Sequence, residues 1–220
     1  MLQHVWERTC QARYLTDVVI ATDDERIRAA ADKFGARTVM TRADHASGTD
    51  RVAEAASASQ AQIVVNVQGD EPMIDPAAID AAILGLLDDD MGQVPMGTIK
   101  KRIERPADIQ DANVVKVVTD AQGNALYFSR SPIPCVREGD EQTVYFKHIG
   151  LYVYRRDFLL SYPDLPVGPL ERAERLEQLR ALENGFEIRV VETEYESLGV
   201  DTPEDWRQVA ELFEKPMVKL

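Results

Sequence analysis

The chain has 220 residues, 45% hydrophobic and 29% charged, which suffices for one domain with a sizeable core. Its formal charge of −13 excludes the basic footprint of a nucleic-acid or anionic-membrane surface, and no apolar run approaches the roughly 20 residues of a membrane span. Residues 1–8 lack the basic start and apolar stretch of a signal peptide, and Cys10 and Cys135, with no CxxC or Cys/His cluster, read as free thiols of a cytoplasmic protein.

In chain order, residues 1–14 read as a helix and 18–21 as the first strand. Thr22, Asp23, Asp24 and Glu25 supply capping residues for a helix that stops at Gly35. A short strand at 38–40 and a helix at 47–58 follow. Residues 63–67 are nearly all apolar, as expected of a strand buried on both faces of a parallel sheet. Asp75 as N-cap and Pro76 as first helical residue open a helix running to 87. This βαβα rhythm predicts an α/β fold with a doubly wound, mostly parallel sheet.

The second half reads differently. Segments at 114–119, 125–128 and 144–154 are extended, with 120–124 as a hairpin turn between the first two. They make about 113–155 an extended sub-region of a single domain spanning 1–220. A helix at 170–184 stopped by Gly185, a strand at 188–191 and a helix at 202–214 complete the chain. No strand or Gly-rich loop precedes the first helix, and neither GxGxxG nor a Walker A pattern occurs.

Val67-Gln68-Gly69-Asp70-Glu71-Pro72 follows the most apolar strand. Ligands of open parallel sheets bind beyond the carboxyl ends of strands, so Asp70 falls at the crevice, where a carboxylate suits Mg²⁺ carrying a nucleotide phosphate. The same stretch also reads as a Gly-containing turn with Asp70 or Glu71 merely solvated. Residues 198–206 form a second strand-to-helix corner, with Thr202 as N-cap, Pro203 as first helical residue and Asp205 as capping-box partner. Asp201 is left over by that account, and Asp70 with Asp201 make a carboxylate pair for one or two magnesium ions.

Residues 40–51 are dense in hydrogen-bonding groups. Either Ser47 simply caps a helix with Asp50 at its third position, or this helix mouth serves a nucleotide. In the second case Ser47, Gly48, Thr49, Asp50 and Arg51 give donors, hydroxyls and a guanidinium, and Arg42 gives another. Along 146–152, alternation puts His148, Gly150 and Tyr152 on one strand face, although a lone strand histidine is more often structural. Glu177 and Gln178 lie on a different helix face from Leu176, Leu179 and Arg180, and such a polar face is ordinarily solvated.

Seven stretches, in order, carry a resemblance. They are residues 41–45 with Ser47-Gly48-Thr49-Asp50-Arg51; Val65-Asn66-Val67-Gln68-Gly69-Asp70-Glu71-Pro72; and Asn113-Val114-Val115-Lys116-Val117-Val118. Leu126-Tyr127-Phe128-Ser129-Arg130 with Ile133-Pro134, His148-Ile149-Gly150-Leu151-Tyr152, residues 176–180 and residues 199–205 complete the set. Through essentially its whole length the chain resembles the CMP-KDO synthetases, the 3-deoxy-manno-octulosonate cytidylyltransferases. The resemblance implies a nucleotide-diphospho-sugar transferase-like fold and the reaction of CTP with KDO to give CMP-KDO and pyrophosphate, for lipopolysaccharide biosynthesis.

It further implies that Asp70 and Asp201 hold Mg²⁺, and that Gln68, Arg130, His148, Tyr152, Glu177 and Gln178 contact the sugar acid. Arg130 would take the carboxylate, which accepts a bidentate guanidinium well. Arg42 and residues 47–51 would contact cytidine, and the enzyme would be a homodimer with 144–154 in its interface. The family pattern also opens with a strand and a basic Gly/Pro-containing loop that grips the triphosphate. Arg13-Tyr14 does not supply that loop, so the first strand and nucleotide loop are expected to be missing here and the 220-residue chain to be weakly active or inactive. Two other readings stay open: a cytidylyltransferase for another sugar acid such as sialic acid, and a non-catalytic fragment that binds a nucleotide or dimerises.

Overall fold

A computed structural model describes residues 1–89, 92–137, 143–200 and 202–214. Helix α1 (Leu2–Thr9) leads into β1 (Val19–Thr22), α2 (Glu25–Lys33), β2 (Arg37–Met40), α3 (Gly48–Ser57), β3 (Ile63–Asn66) and α4 (Pro76–Leu87). Then come β4 (Met96–Arg102), α5 (Pro106–Gln110), β5 (Lys116–Thr119), β6 (Ala125–Ser129), β7 (Phe146–Arg155) and α6 (Arg156–Ser161). The chain continues through α7 (Pro169–Glu174), α8 (Gln178–Glu183), β8 (Ile188–Glu192) and α9 (Pro203–Glu214).

The helix starts lie where capping chemistry puts them, since a side-chain oxygen there satisfies one of the first amides. The Asp24 carboxylate accepts from Arg26 N at 2.7 Å, Ser47 Oγ from Asp50 N at 3.2 Å and the Asp75 carboxylate from Ala77 N at 2.9 Å. At α9 the capping box is complete: Asp205 N donates to Thr202 Oγ1 at 3.2 Å, and Thr202 N to the Asp205 carboxylate at 2.8 Å.

β1 and β2 form a parallel pair. The other six strands make one sheet in the order β6-β5-β7-β4-β8, with β3 also paired to β7. The ten-residue β7 lies along β4 on one edge, while its other edge takes β5 at Lys147 and β3 at residues 152–155. Strands β3, β4, β5 and β8 point one way and β6 and β7 the other, so the sheet is parallel in most of its directions although β7 makes antiparallel ladders. The α/β class expected from the sequence is the fold found. β3 itself is half-buried and lies antiparallel to its neighbour, because an apolar run does not set the direction of the strand beside it.

β7 sends alternate side chains into two cores. Ile149, Leu151 and Val153 join Ile74, Ile79 and Leu86 beneath α4, while Tyr154 joins Phe128, Phe158, Tyr162 and Leu179 on the other side. Gly85 lets α4 close on the sheet, since a Cβ there would lie 2.1 Å from Val191 Cγ2.

Two expectations need correcting. Strand β4 went unread, because Gly97 and the Lys100-Lys101-Arg102 tail hide its apolar alternation, yet Met96, Thr98 and Ile99 are buried at the sheet centre. The single helix expected at 170–184 is two short helices, broken at Arg175 with φ of 52°. The break folds α8 back onto α7. The Glu183 carboxylate then accepts from Leu170 N and Glu171 N, both at 2.9 Å, and Leu176 is buried in the core.

Candidate active site

The turn after β3 seats Gln68 against β7, its Cγ 4.0 Å from where a Cβ on Gly150 would stand. Only a cavity of about 10 Å³, roughly the volume one water needs, separates this turn from Ile149, Gly150 and Leu151. Val200 N donates to Asp70 O at 2.9 Å, which brings the corner before α9 against the Asp70 turn. Asp201 follows directly in sequence and lies outside the described residues. Glu71, which the sequence allowed to be merely solvated, is held in place: its carboxylate accepts from Tyr195 Oη at 2.7 Å and from Ser197 Oγ.

Two residues on from Gly150, Tyr152 Oη donates to Gln178 Oε1 at 3.1 Å. Thr49 Oγ1 donates to Glu177 Oε2 at 2.8 Å, so the α3 mouth meets the start of α8. Gln178 is only 2% exposed, and the solvated helix face allowed by the sequence is replaced by a buried seam, because the break at Arg175 turns α8 inward. Asp50 Oδ1 and Gln178 Nε2 are buried there without a partner among the described residues, and a bound substrate is one means of satisfying such atoms.

His148 lies between Phe128 and Tyr152, with ring centroids 5.0 and 5.4 Å away, and its Nε2 is 3.0 Å from Thr98 Oγ1. Burial pushes its imidazole down to about 3, so it stays neutral at ordinary pH. His148, Tyr152 and Gln178 thus touch in turn, with Glu177 and Thr49 beside them, while Gln68 stands next to Gly150 on β7.

Other expected residues are held elsewhere or by structural ties. Arg130 ends β6 turned toward α7, with Nε donating to Glu174 O at 2.7 Å and Nη1 to Ala112 O at 3.0 Å. Arg51 braces the ends of β1 and β2: it donates to Thr41 Oγ1 at 2.6 Å and pairs with Asp23 at 3.2 Å. Arg42 is exposed beside Asp44 and borders a cavity of about 420 Å³ that Asp44, His45, Asp50 and Glu54 also line. Ser47 is the cap of α3, while Gly48 has nothing within 4 Å of a notional Cβ, so that side of the helix mouth is open.

Sequence reasoning passed over Lys116, which is fully buried. Its Nζ donates to the carbonyls of Asp111 (2.8 Å), Val114 (2.5 Å) and Arg130 (2.6 Å), and burial lowers its pKa. It therefore ties the loop before β5 to the end of β6. A lone Lys in the 113–118 stretch gave no pattern to find it by.

Chemically, a carboxylate in the turn that follows a strand, tied through its backbone to a second strand-to-helix corner, suits a phosphate-bound cation. Among the described residues no three or more His, Cys, Asp or Glu gather as a metal site, and none of them forms a membrane-spanning helix. One or two carboxylates together with substrate phosphates are nevertheless what Mg²⁺ ordinarily takes from a protein, so the Asp70 corner fits that ion. The class these features define is that of an α/β nucleotidyltransferase.

Comparison with known proteins sharpens this. A family model described as cytidylyltransferase matches residues 1–190. The 3-deoxy-manno-octulosonate cytidylyltransferase of Solibacter usitatus is 68% identical over 219 residues, covering 100% of this chain and 86% of its own length. That of Geobacter metallireducens is 55% identical over 96% of this chain and 86% of its own. A solved CMP:2-keto-3-deoxy-manno-octonic acid synthetase complexed with CTP is 43% identical with a TM-score of 0.91, covering 97% of this chain and 87% of that one. The chain belongs to the cytidylyltransferase family.

Proposed function

We propose that this chain transfers CMP from CTP to KDO. The anomeric hydroxyl of KDO attacks the α-phosphorus, a new O–P bond forms, the bond to pyrophosphate breaks, and CMP-KDO results. The names of its close relatives support this substrate pair. The single structural observation that carries it is the Val200–Asp70 hydrogen bond, which joins the corner beside Asp201 to the Asp70 turn.

Asp70 and Asp201 are the groups that would hold Mg²⁺, which when bound supplies neutralising charge for the triphosphate. Phosphoryl transfer of this kind depends on positioning and charge compensation rather than covalent help from the protein. Gln68, His148, Tyr152, Glu177 and Gln178 orient the sugar acid. His148, neutral with a pKa of about 3, is a hydrogen-bonding group and a poor base for the hydroxyl proton. Arg130 already serves two carbonyls, so it meets the KDO carboxylate with the donors its five N–H groups leave over. Arg42 and residues 47–51 serve the cytidine side. The enzyme acts as a cytoplasmic homodimer in the supply of lipopolysaccharide sugar. Pyrophosphate release from CTP with KDO and, separately, with N-acetylneuraminate tests the substrate: KDO alone is expected to react, and turnover of N-acetylneuraminate in its place would sink the proposal.

A further inference from the structure

We infer that Glu71 is a positioning residue for the divalent cation: it clamps segment 195–200 to the turn that carries Asp70 and so fixes where that turn stands. The inference rests on the reading above, in which Asp70 holds Mg²⁺.

Among the described residues between the end of β8 at Glu192 and the start of α9 at Pro203, none lies in a helix or strand. Its first part is tied to β4, since Thr193 N donates to Lys100 O at 2.9 Å and Lys101 Nζ to Glu194 O at 3.1 Å. Beyond that point Glu196 still pairs with Lys101 of β4 at 2.8 Å and with Lys147 of β7, while Tyr195, Ser197 and Val200 are tied to the Asp70 turn. Tyr195 Oη and Ser197 Oγ both donate to Glu71, one to each carboxylate oxygen, and Val200 N donates to Asp70 O. Gly199 lies against the same group, a Cβ there standing 4.0 Å from Glu71 Oε1.

The clamp is anchored at both ends. Tyr195 is buried in the core beneath α4 with Ile74 and Ile79. The turn is closed by Ile74 N donating to Glu71 O at 3.0 Å, and Arg8 Nε of α1 donates to Ile74 O at 2.6 Å. Each Glu71 oxygen already accepts a hydrogen bond from a hydroxyl, the arrangement of a group that holds two segments together, and Glu71→Gln separates that role from ligation. Hydrogen bonds one shell out from a metal fix where its ligands stand, and removing them typically lowers metal affinity by about 10- to 100-fold.

The test is Mn²⁺ binding in the presence of CTP, followed by electron paramagnetic resonance, for the wild-type chain, Glu71→Ala, Glu71→Gln and Tyr195→Phe. Glu71→Ala is expected to lose about tenfold or more in Mn²⁺ affinity. Tyr195→Phe should lose less, in the same direction, while the KM for KDO stays unchanged in both. Glu71→Gln keeps one acceptor and the packing and should recover most of the affinity. A loss with Gln as large as with Ala would mark Glu71 as a ligand and overturn the inference, and unchanged affinity in Glu71→Ala would overturn it too. Should Glu71→Ala not fold, Tyr195→Phe decides, because its ring still fills the core and only the hydroxyl is lost. A wild-type chain that binds no Mn²⁺ with CTP would instead take down the reading of Asp70 itself, and this inference with it.

Discussion

The β1–β2 layer and the region around α7 and α8 use the same charged residue types under opposite conditions. In the first, Arg28 pairs with Glu25 and Arg37 with Asp17, all with side chains well over a third exposed. In the second, Arg180 grips Glu171 through two bonds of 2.9 and 2.7 Å, with side chains only 8% and 10% exposed, and the guanidinium also lies 5.1 Å over the Tyr162 ring. Water can replace a lost partner in the first region. In the second it cannot, so charge there holds the geometry of the site: the Glu171–Arg180 pair bridges the break at Arg175 and keeps Glu177 and Gln178 turned inward.

The largest effect that would break this contrast is at Glu171. Glu171→Ala leaves the Arg180 charge buried and alone and should destabilise the fold by about 3–5 kcal/mol in denaturant unfolding; a cost no larger than that of a surface substitution would erase the distinction. Lys116→Met comes next. It strips the buried donor from three part-buried hydrogen bonds to carbonyls and should cost about 1–3 kcal/mol by the same measurement.

His148 sharpens the comparison through pH. Its imidazole titrates near 3 in the folded chain rather than at the ordinary 6.5, so below 6.5 the unfolded chain binds a proton that the folded one refuses. That contribution to stability is intact above pH 6.5 and is lost progressively as pH falls toward 3, and His148→Asn should flatten this part of the stability curve. The smallest effect is expected at Arg28, where Arg28→Ala should leave the thermal midpoint within the scatter of repeat scans, because the pair it breaks is solvated.

Local chemistry made part of this legible in the sequence. Asp24, Ser47, Asp75 and Thr202 cap helices as their spacing indicated, and of the three residues alternation put on one face of β7, His148, Gly150 and Tyr152, the two rings stand 5.4 Å apart. What hid the rest was long-range. β4 escaped because its lysines bury their stems while their amines reach Thr119 and Glu196 across the sheet, which no run of residues 96–102 can announce. The helix break escaped because Arg175 adopts a left-handed conformation that only the Glu171–Arg180 and Glu183 ties explain. Glu71 escaped because its partners, Tyr195 and Ser197, lie more than a hundred positions away in a segment without periodicity.

The measurement that tests the account most directly is pyrophosphate release from CTP and KDO, with Mg²⁺ and with the metal chelated. It should be run on this chain and on its Asp70→Asn variant. Release that needs KDO and Mg²⁺ and falls by on the order of 10²-fold or more in Asp70→Asn is the result the account predicts. No release from KDO, or full activity without Asp70, would contradict it.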